Sequence, residues 1–327
     1  MPADDEQVLA VTTTALGPGP DGARTQQWWQ WKHRDNPFGE SLVLGAFAGA
    51  QLVGVRAFLR WDLRDSSGHI FRCARAVDTA THPDWQGQGI FRALTLAGLE
   101  ELAAQGVSQV FNTPNAKSGA GYLTMGWRPI TTLYAAIRPQ GVSGLAKLVM
   151  SGQEQRKSSA SSESSSLRTA GEMSLELAGQ LSGFLKERSG ELQTDWWPEV
   201  LLWRFGQCPV ADYRLVEDDG ALAAIVRLNR RKRWREAVIS LLNPRLRSPM
   251  AAIRRIPREE RKHVDYWVWR SANPQMGFWG HAAAGFLRPP MAIMNLYHRP
   301  MALTDHQLSQ VQQPDHWCLE FGDLELL

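Results

Sequence analysis

Cysteine is scarce in this chain: three in 327 residues, and Cys73, Cys208 and Cys318 show no paired spacing. That argues against a disulfide scaffold and a cysteine zinc site, and it fits a reducing compartment. No uninterrupted apolar run approaches the roughly 20 residues of a membrane-spanning helix. The opening MPADDEQV is acidic and carries no apolar stretch of the secretory kind, so the expected location is the cytoplasm. An excess of one charge is missing too. Lys and Arg number 36 against 33 Asp and Glu, a net +3, which makes no whole-chain case for a nucleic acid or a membrane surface as partner. What the chain does have is 43% apolar residues, enough for the cores of two domains, and 14 Trp.

The informative stretch runs from Ala76 to Pro129. An extended start, Ala76-Val77-Asp78-Thr79-Ala80, passes through Pro83 into the turn Gln86-Gly87-Gln88-Gly89. Ile90, Leu94, Ala97 and Leu102 then recur at helical spacing. A second strand is expected over Val107 to Thr113, and a helix over Lys117 to Leu123, ahead of Gly126-Trp127. A glycine turn that opens a helix is suited to phosphate, because the first amides of a helix have no internal acceptors and lie at its positive end. Upstream, residues 1 to 25 read as an irregular start with one short strand near Val8 to Val11. Trp28 to Arg34 reads as a helix stopped by Asn36-Pro37. Leu42 to Ala48 and Gln51 to Trp61 read as a hairpin, Ile70 to Thr81 as the next strand, and Thr131 to Ile137 as one further strand.

Gln86-Gly87-Gln88-Gly89-Ile90 resembles the (Gln/Arg)-x-x-Gly-x-(Gly/Ala) acetyl-CoA motif of the GNAT N-acetyltransferase superfamily, with Phe91 where Gly or Ala is usual. Asn115, Ser118, Tyr122, Gly126 and Trp127 resemble that family's second signature, in the right order and at the right separation. The resemblance implies an α/β fold with a mixed, mostly antiparallel twisted sheet flanked by helices, and acetyl-CoA as cofactor. It implies that the backbone of Gln86, Gly87, Gln88, Gly89, Ile90 and Phe91 holds the pyrophosphate, with Arg92 adding charge. The strand at Val77 to Thr79 would splay from its neighbour and offer amides to the pantetheine arm. Asn115 would contact the cofactor, cap the following helix, or do both. The phenol of Tyr122 would stand near the departing sulfur as proton donor. Phe91 would have to point away from the pyrophosphate.

The second half echoes the first. Leu201-Leu202-Trp203-Arg204-Phe205 before Pro209 parallels Trp29-Gln30-Trp31-Lys32-His33 before Pro37. Tyr213 to Val216 and Ala221 to Leu228 parallel the first hairpin, and Asn273 and Gly285-Phe286 stand where Asn115 and Gly126-Trp127 do. This reads as two GNAT-like domains in tandem, residues 1–150 and 172–327, joined by a serine-rich connector over residues 151–171. No glycine turn lies between Ile239 and Asp265, and the tyrosine position falls on Ala282, Ala283 or Ala284, so the second copy is expected to have lost cofactor binding.

Asp78 is the candidate general base: burial in an apolar strand would raise its pKa, and a bond to backbone or to Arg75 is the competing reading. His82, before Pro83, is a weaker rival base. Trp28, Trp29, Trp31, Trp61, Trp85 and Trp127 suit a core, or could stack on an amino-sugar acceptor. The run Arg230-Arg231-Lys232-Arg233 reads as a hairpin tip, and the acidic Glu320 to Glu325 could orient a cationic amine if it folds back towards the cleft. The resulting expectation is an acetyl-CoA-dependent N-acetyltransferase acting on a primary amine of a small molecule, an amino sugar or polysaccharide precursor among the options. A non-catalytic acyl-CoA-binding module and an aminoacyl-transferase similar to the FemABX group are the alternatives. Oligomeric state is left open.

Overall fold

The computed structural model describes residues 5–17, 24–141, 159–160, 165–188, 192–231, 234–246, 248–287 and 293–324. The chain begins with a helix, α1 (Asp5–Leu16), and not with the strand expected near Val8. Val8, Val11 and Thr12 are its buried residues, a spacing that lays them on one helical face. A four-residue window of apolar and small residues does not separate that pattern from a strand. Helix α2 (Gln26–Trp29) follows and continues as one wider turn over Gln30–Arg34.

The strands β1 (Leu42–Ala48), β2 (Gln51–Arg60) and β5 (Cys73–Thr81) pair antiparallel, with the short β3 (Leu63–Arg64) and β4 (Ile70–Phe71) between the last two. Helix α3 (Ile90–Ala104) then carries the chain to β6 (Gln109–Asn112), parallel to β5. Helix α4 (Ala116–Thr124) leads to β7 (Arg128–Leu133) and β8 (Ala136–Pro139). The segment Thr131 to Ile137, expected as one strand, is thus two, broken at Tyr134-Ala135 because the chain there crosses from one sheet to the other. Alternation along β2 serves two cores: Val55, Ala57 and Leu59 face the tryptophan-rich cluster with α1 and α2, while Phe58 faces a second cluster beneath α3 and α4.

The second half repeats this order. After β9 (Ser159–Ala160), α5 (Leu175–Lys186) and β10 (Gln193–Thr194), α6 (Pro198–Leu201) again runs into a wider turn, Leu202–Gly206. The hairpin of β11 (Asp212–Asp218) and β12 (Ala221–Arg231) shifts register between Val216 and Glu217, where the first hairpin shifts between Ala46 and Phe47. β13 (Trp234–Leu242) is joined to a parallel β14 (Tyr266–Trp269) through α7 (Pro249–Arg255) and α8 (Arg258–Lys262). Then come α9 (Phe278–Ala283), β15 (Met294–Pro300), α10 (Asp305–Gln312) and α11 (Phe321–Leu324).

Sheet membership does not follow the halves of the sequence. The first sheet runs β1-β2-β5-β6-β15-β7 and the second β11-β12-β13-β14-β8. β15 lies antiparallel between β6 and β7; β8 lies antiparallel on β14, and Ile137 bridges on to Leu287. Each copy has therefore lent its last strand to the other. At the centre Trp31 donates its indole N–H to the carbonyl of Trp203 at 2.8 Å, Trp203 returns the bond to Trp31 at 2.7 Å, and the rings stack at 5.3 Å. One patch meeting its own counterpart is the pattern of a two-fold interface, here inside one chain.

Within the serine-rich connector, Ser159–Ala160 pair with β12 and Leu167 packs on the core of the second sheet. Residues 151–158 and 161–164 lie outside the described residues, as do Lys232 and Arg233 of the basic run and Glu325 of the acidic end. No helix among the described residues is long and apolar enough to cross a membrane.

Candidate functional site

The pairing of β5 with β6 covers only Cys73–Gln109, Ala74–Val110 and Arg75–Phe111. From Ala76 onward the two strands part, so Val77, Asp78 and Thr79 keep β2 on one side and have no strand on the other among the described residues. The β2–β5 register slips here: Val55 opposes Ala80 and Ala57 opposes Val77, which leaves Asp78 and Thr79 bulged across from Arg56. Asp78 takes φ 41°, a left-handed value that only Asp219 shares among the described non-glycine residues.

Past the bulge, Pro83–Trp85 make one tight helical turn, and Gln86 bonds back to the Thr81 carbonyl through its side-chain amide at 3.2 Å. Gly87 and Gly89 have φ of 76° and 78°, and nothing lies within 4 Å of where a Cβ would stand on either. Gly89 caps α3 without any side-chain bond, and the amides of residues 87–92 find no acceptor among the described residues. An open, left-handed turn with uncommitted amides at the positive end of a four-turn helix fits a pyrophosphate.

Phe91, the departure from the motif, turns inward, its ring edge-on to Tyr122 at 5.5 Å. Tyr122 is buried on α4 between Phe91 and Trp127, and its hydroxyl accepts a 2.8 Å bond from Arg56 Nη1. Arg56 also donates to Thr79 Oγ1, tying β2, the bulge and α4 together. Asn115 caps α4 by accepting from the Ser118 amide at 2.9 Å. Arg92 is exposed and reaches the Thr124 carbonyl at 3.4 Å, near the end of α4.

Asp78 departs from expectation. It faces away from Tyr122, into the tryptophan core, where Lys32 Nζ stands 2.7 Å and His33 Nε2 3.1 Å from the same carboxylate oxygen. His33 Nδ1 is in turn 2.9 Å from Ser41 Oγ. Burial alone would raise the Asp78 pKa, but the adjacent Lys32 and the bond to His33 outweigh it and hold the carboxyl well below the usual range. Burial pushes the Lys32 and His33 pKa values down. Of the competing reading, a bond to neighbouring backbone or to Arg75, the Arg75 partner is not the one found: Arg75 donates to the carbonyls of Asp323 and Leu324. Asp78→Ala should therefore act on stability. It takes the carboxylate from beside a buried ammonium and places alanine at positive φ, for a loss of about 3 kcal/mol and a Tm lower by roughly 5 °C in thermal unfolding. Because the folded pKa lies below the ordinary 3.8, this contribution is complete above that pH and is lost as pH falls below it. An unchanged Tm would remove the ion pair from the account.

In the second copy the amide of Phe286 bonds the carbonyl of His281, as that of Trp127 bonds Tyr122. The residue in the tyrosine position is thus His281, and not Ala282, Ala283 or Ala284. It is buried against Trp269, whose ring also meets Phe286, with Nδ1 held at 2.9 Å by the Gly277 carbonyl. α7 starts from Ser248 with Pro249 in its first turn, where the first copy has its glycine turn. The chain's end packs beside β13: Glu320 pairs with the buried Arg188 and accepts from the Leu242 amide at 3.4 Å, while Gly322 abuts Phe205 and the Ser240 carbonyl. Burial pushes Glu320 up to about 7, and Arg188 is the group that it faces.

Of the tryptophans, Trp28, Trp29, Trp31, Trp61 and Trp127 are buried, so the core reading holds for them and they offer no face to a sugar. His82 sits at the mouth of the turn, its Nδ1 accepting from the Asp84 amide at 3.4 Å. Arg56, Lys32, His33 and Ser41 were not singled out in the sequence. Their signal was present: Arg56 interrupts the apolar run Leu52 to Leu59, and Lys32-His33 interrupt a tryptophan-rich helix. A charge inside such a run needs a partner.

Residues 3–130 match the model of the acetyltransferase (GNAT) domain family. No curated protein matches the chain by sequence. Among solved structures, an Enterococcus faecalis V583 protein described as a probable N-acyltransferase aligns with TM-score 0.61 at 12% identity, over 91% of this chain and 70% of its own. A GCN5-related N-acetyltransferase from Anabaena variabilis ATCC 29413 aligns with TM-score 0.58 at 11% identity, over 92% and 71%. A third, from Kribbella flavida, aligns with TM-score 0.56 at 14% identity, over 91% and 68%. Residues 3–130 thus match the GNAT acetyltransferase domain, and the chain as a whole has the mixed α/β fold of the GCN5-related N-acetyltransferases.

Proposed function

We propose that the chain is an acetyl-CoA-dependent N-acetyltransferase that moves the acetyl group directly to a primary amine of a small molecule, within a ternary complex. The observation that carries this reading is the run of uncommitted amides from Gly87 to Arg92, set beside a parted strand pair with Tyr122 at its side. GNAT domains generally use acetyl-CoA, and the amides of Gly87 to Arg92 would hold its phosphates while the β5 edge at Val77 to Thr79 holds the arm; the Gln86 amide, bonded to the Pro83 carbonyl, is not among them. When bound, the thioester supplies the activated acyl group. The chain's own part is to exclude water, align the amine, and place the Tyr122 proton near the leaving sulfur. Asn115 supports the site by fixing the start of α4. Asp78, held ionised in the core, locks the bulge that Thr79 needs and leaves deprotonation of the amine to solvent.

An amino-sugar acceptor gains nothing from Trp28, Trp29, Trp31, Trp61 and Trp127, which are buried; Trp85, half-buried beside the glycine turn, stands apart from them. The second copy is proposed to shape the assembly without binding cofactor. Isothermal titration with acetyl-CoA should count one site per chain; two sites would show that the second copy retains its own. Thiol release over a panel of amines tests transfer. In that assay Tyr122→Phe should lower kcat by about 100-fold and change acetyl-CoA affinity by less than threefold. An unchanged kcat reduces Tyr122 to packing, and a panel that stays silent despite tight binding favours the acyl-CoA-binding module.

A further inference from the structure

Arg56 is fully buried, and no carboxylate pairs with it among the described residues. Its Nη1 serves Thr79 and Tyr122, while Nε and Nη2 meet no acceptor among the described residues. Aromatic rings surround it: the guanidinium carbon stands 4.6 Å from the centre of Phe58, 5.4 Å from Tyr122 and 5.7 Å from Phe91. Ring faces offset only part of the cost of burying a cation. A packing role would be met by Met or Leu at lower cost, as Leu52, Val53, Val55 and Phe58 show on the same strand.

Resting on the transferase reading above, we propose that Arg56 is the positioning residue that sets Tyr122 as the proton donor. The phenol oxygen accepts from Arg56, so its own hydrogen is not used in that bond and has no acceptor among the described residues. In the transfer the acceptor nitrogen bonds to the acyl carbon and the carbon–sulfur bond breaks. The sulfur leaves with the electron pair and takes the phenolic proton. The proton shed by the nitrogen passes to solvent, from which the phenolate is restored. For that interval the phenolate lies 2.8 Å from a guanidinium in a water-poor site, where a charge-assisted bond is at its strongest. Thr79 keeps the guanidinium in place, which gives the bulge a second task beyond holding the cofactor arm.

Two measurements test this. The first needs no turnover. With tyrosines labelled at ¹³Cζ, five signals are expected from the five tyrosines, and Tyr122→Phe identifies one. Arg56→Met should move that signal and leave the other four in place; an unmoved signal overturns the proposal. The second is a double-mutant cycle. Arg56→Met should lower kcat about 100-fold with the KM for acetyl-CoA changed less than threefold, and Arg56→Lys should recover part of the loss. On a Tyr122→Phe background the same substitution should cost less than twofold, because its route to the chemistry is already gone. Additive losses would assign Arg56 a separate role and overturn the proposal, as would a loss confined to KM. A wild-type protein without transferase activity would remove the parent reading and this inference together. Intact wild-type turnover with an unaffected Arg56→Met would remove this inference alone.

Discussion

Gly89→Glu should abolish acetyl-CoA binding, with a loss of at least about 100-fold in affinity by titration calorimetry. Two effects combine. The residue holds φ 78°, so any side chain there costs about 1–2 kcal/mol of backbone strain. The larger effect is electrostatic. Nothing stands within 4 Å of the position its Cβ would occupy, so the carboxylate extends into the space in front of the α3 amides and competes for them. Gly89→Ala separates the two, carrying the strain without the charge, and should lose affinity by only about tenfold. If Gly89→Glu binds normally, the phosphates lie elsewhere and the acetyl-CoA reading loses its anchor. If Gly89→Ala is as damaging as Gly89→Glu, backbone shape and not charge governs the turn.

The elements carrying this site were legible because each has a local signature. Glycines opening a helix and a tyrosine four residues before Gly126 need no knowledge of the rest of the chain. The hairpins at Leu42 and Asp212 were legible for the same reason, since strand alternation and a Gly turn are near-neighbour patterns. Asp78 was legible as a buried carboxylate but not as an ion pair, because its partners Lys32 and His33 lie more than forty positions upstream, in the wider turn that follows α2. Sequence gives burial; it does not give who faces whom. The same gap explains the tyrosine position of the second copy. Gly285-Phe286 was placed correctly, yet His281 emerged only from the backbone bond to Phe286, which fixes the spacing that a gapped comparison left open.

The exchange of last strands was the least legible feature, because β8 and β15 read as ordinary strands whichever sheet receives them. It carries the second large expectation. Residues 1–150 expressed alone should not fold to a stable unit, although they contain both GNAT signatures. β6 and β7 do not pair with each other; β15 lies between them, matching Tyr297 to Asn112 on one side and Leu296 to Thr131 on the other. Without β15 two strand edges of the first sheet are unpaired, and β8 has no β14 to join. The indole N–H of Trp31 loses the Trp203 carbonyl, Trp61 loses Thr194, and the core shared by Trp31, Trp61, Trp196 and Trp203 opens to water. Open edges and an exposed aromatic core lead to aggregation. The expected result is insoluble or unfolded protein by circular dichroism, with recovery when residues 1–150 and 151–327 are produced together, since all strand pairings can then form between the pieces. A soluble, cooperatively melting 1–150 fragment would mean that β6 and β7 close on each other in its absence. The tandem would then be two self-sufficient domains, and Arg56, Tyr122 and the glycine turn could be studied in the first alone.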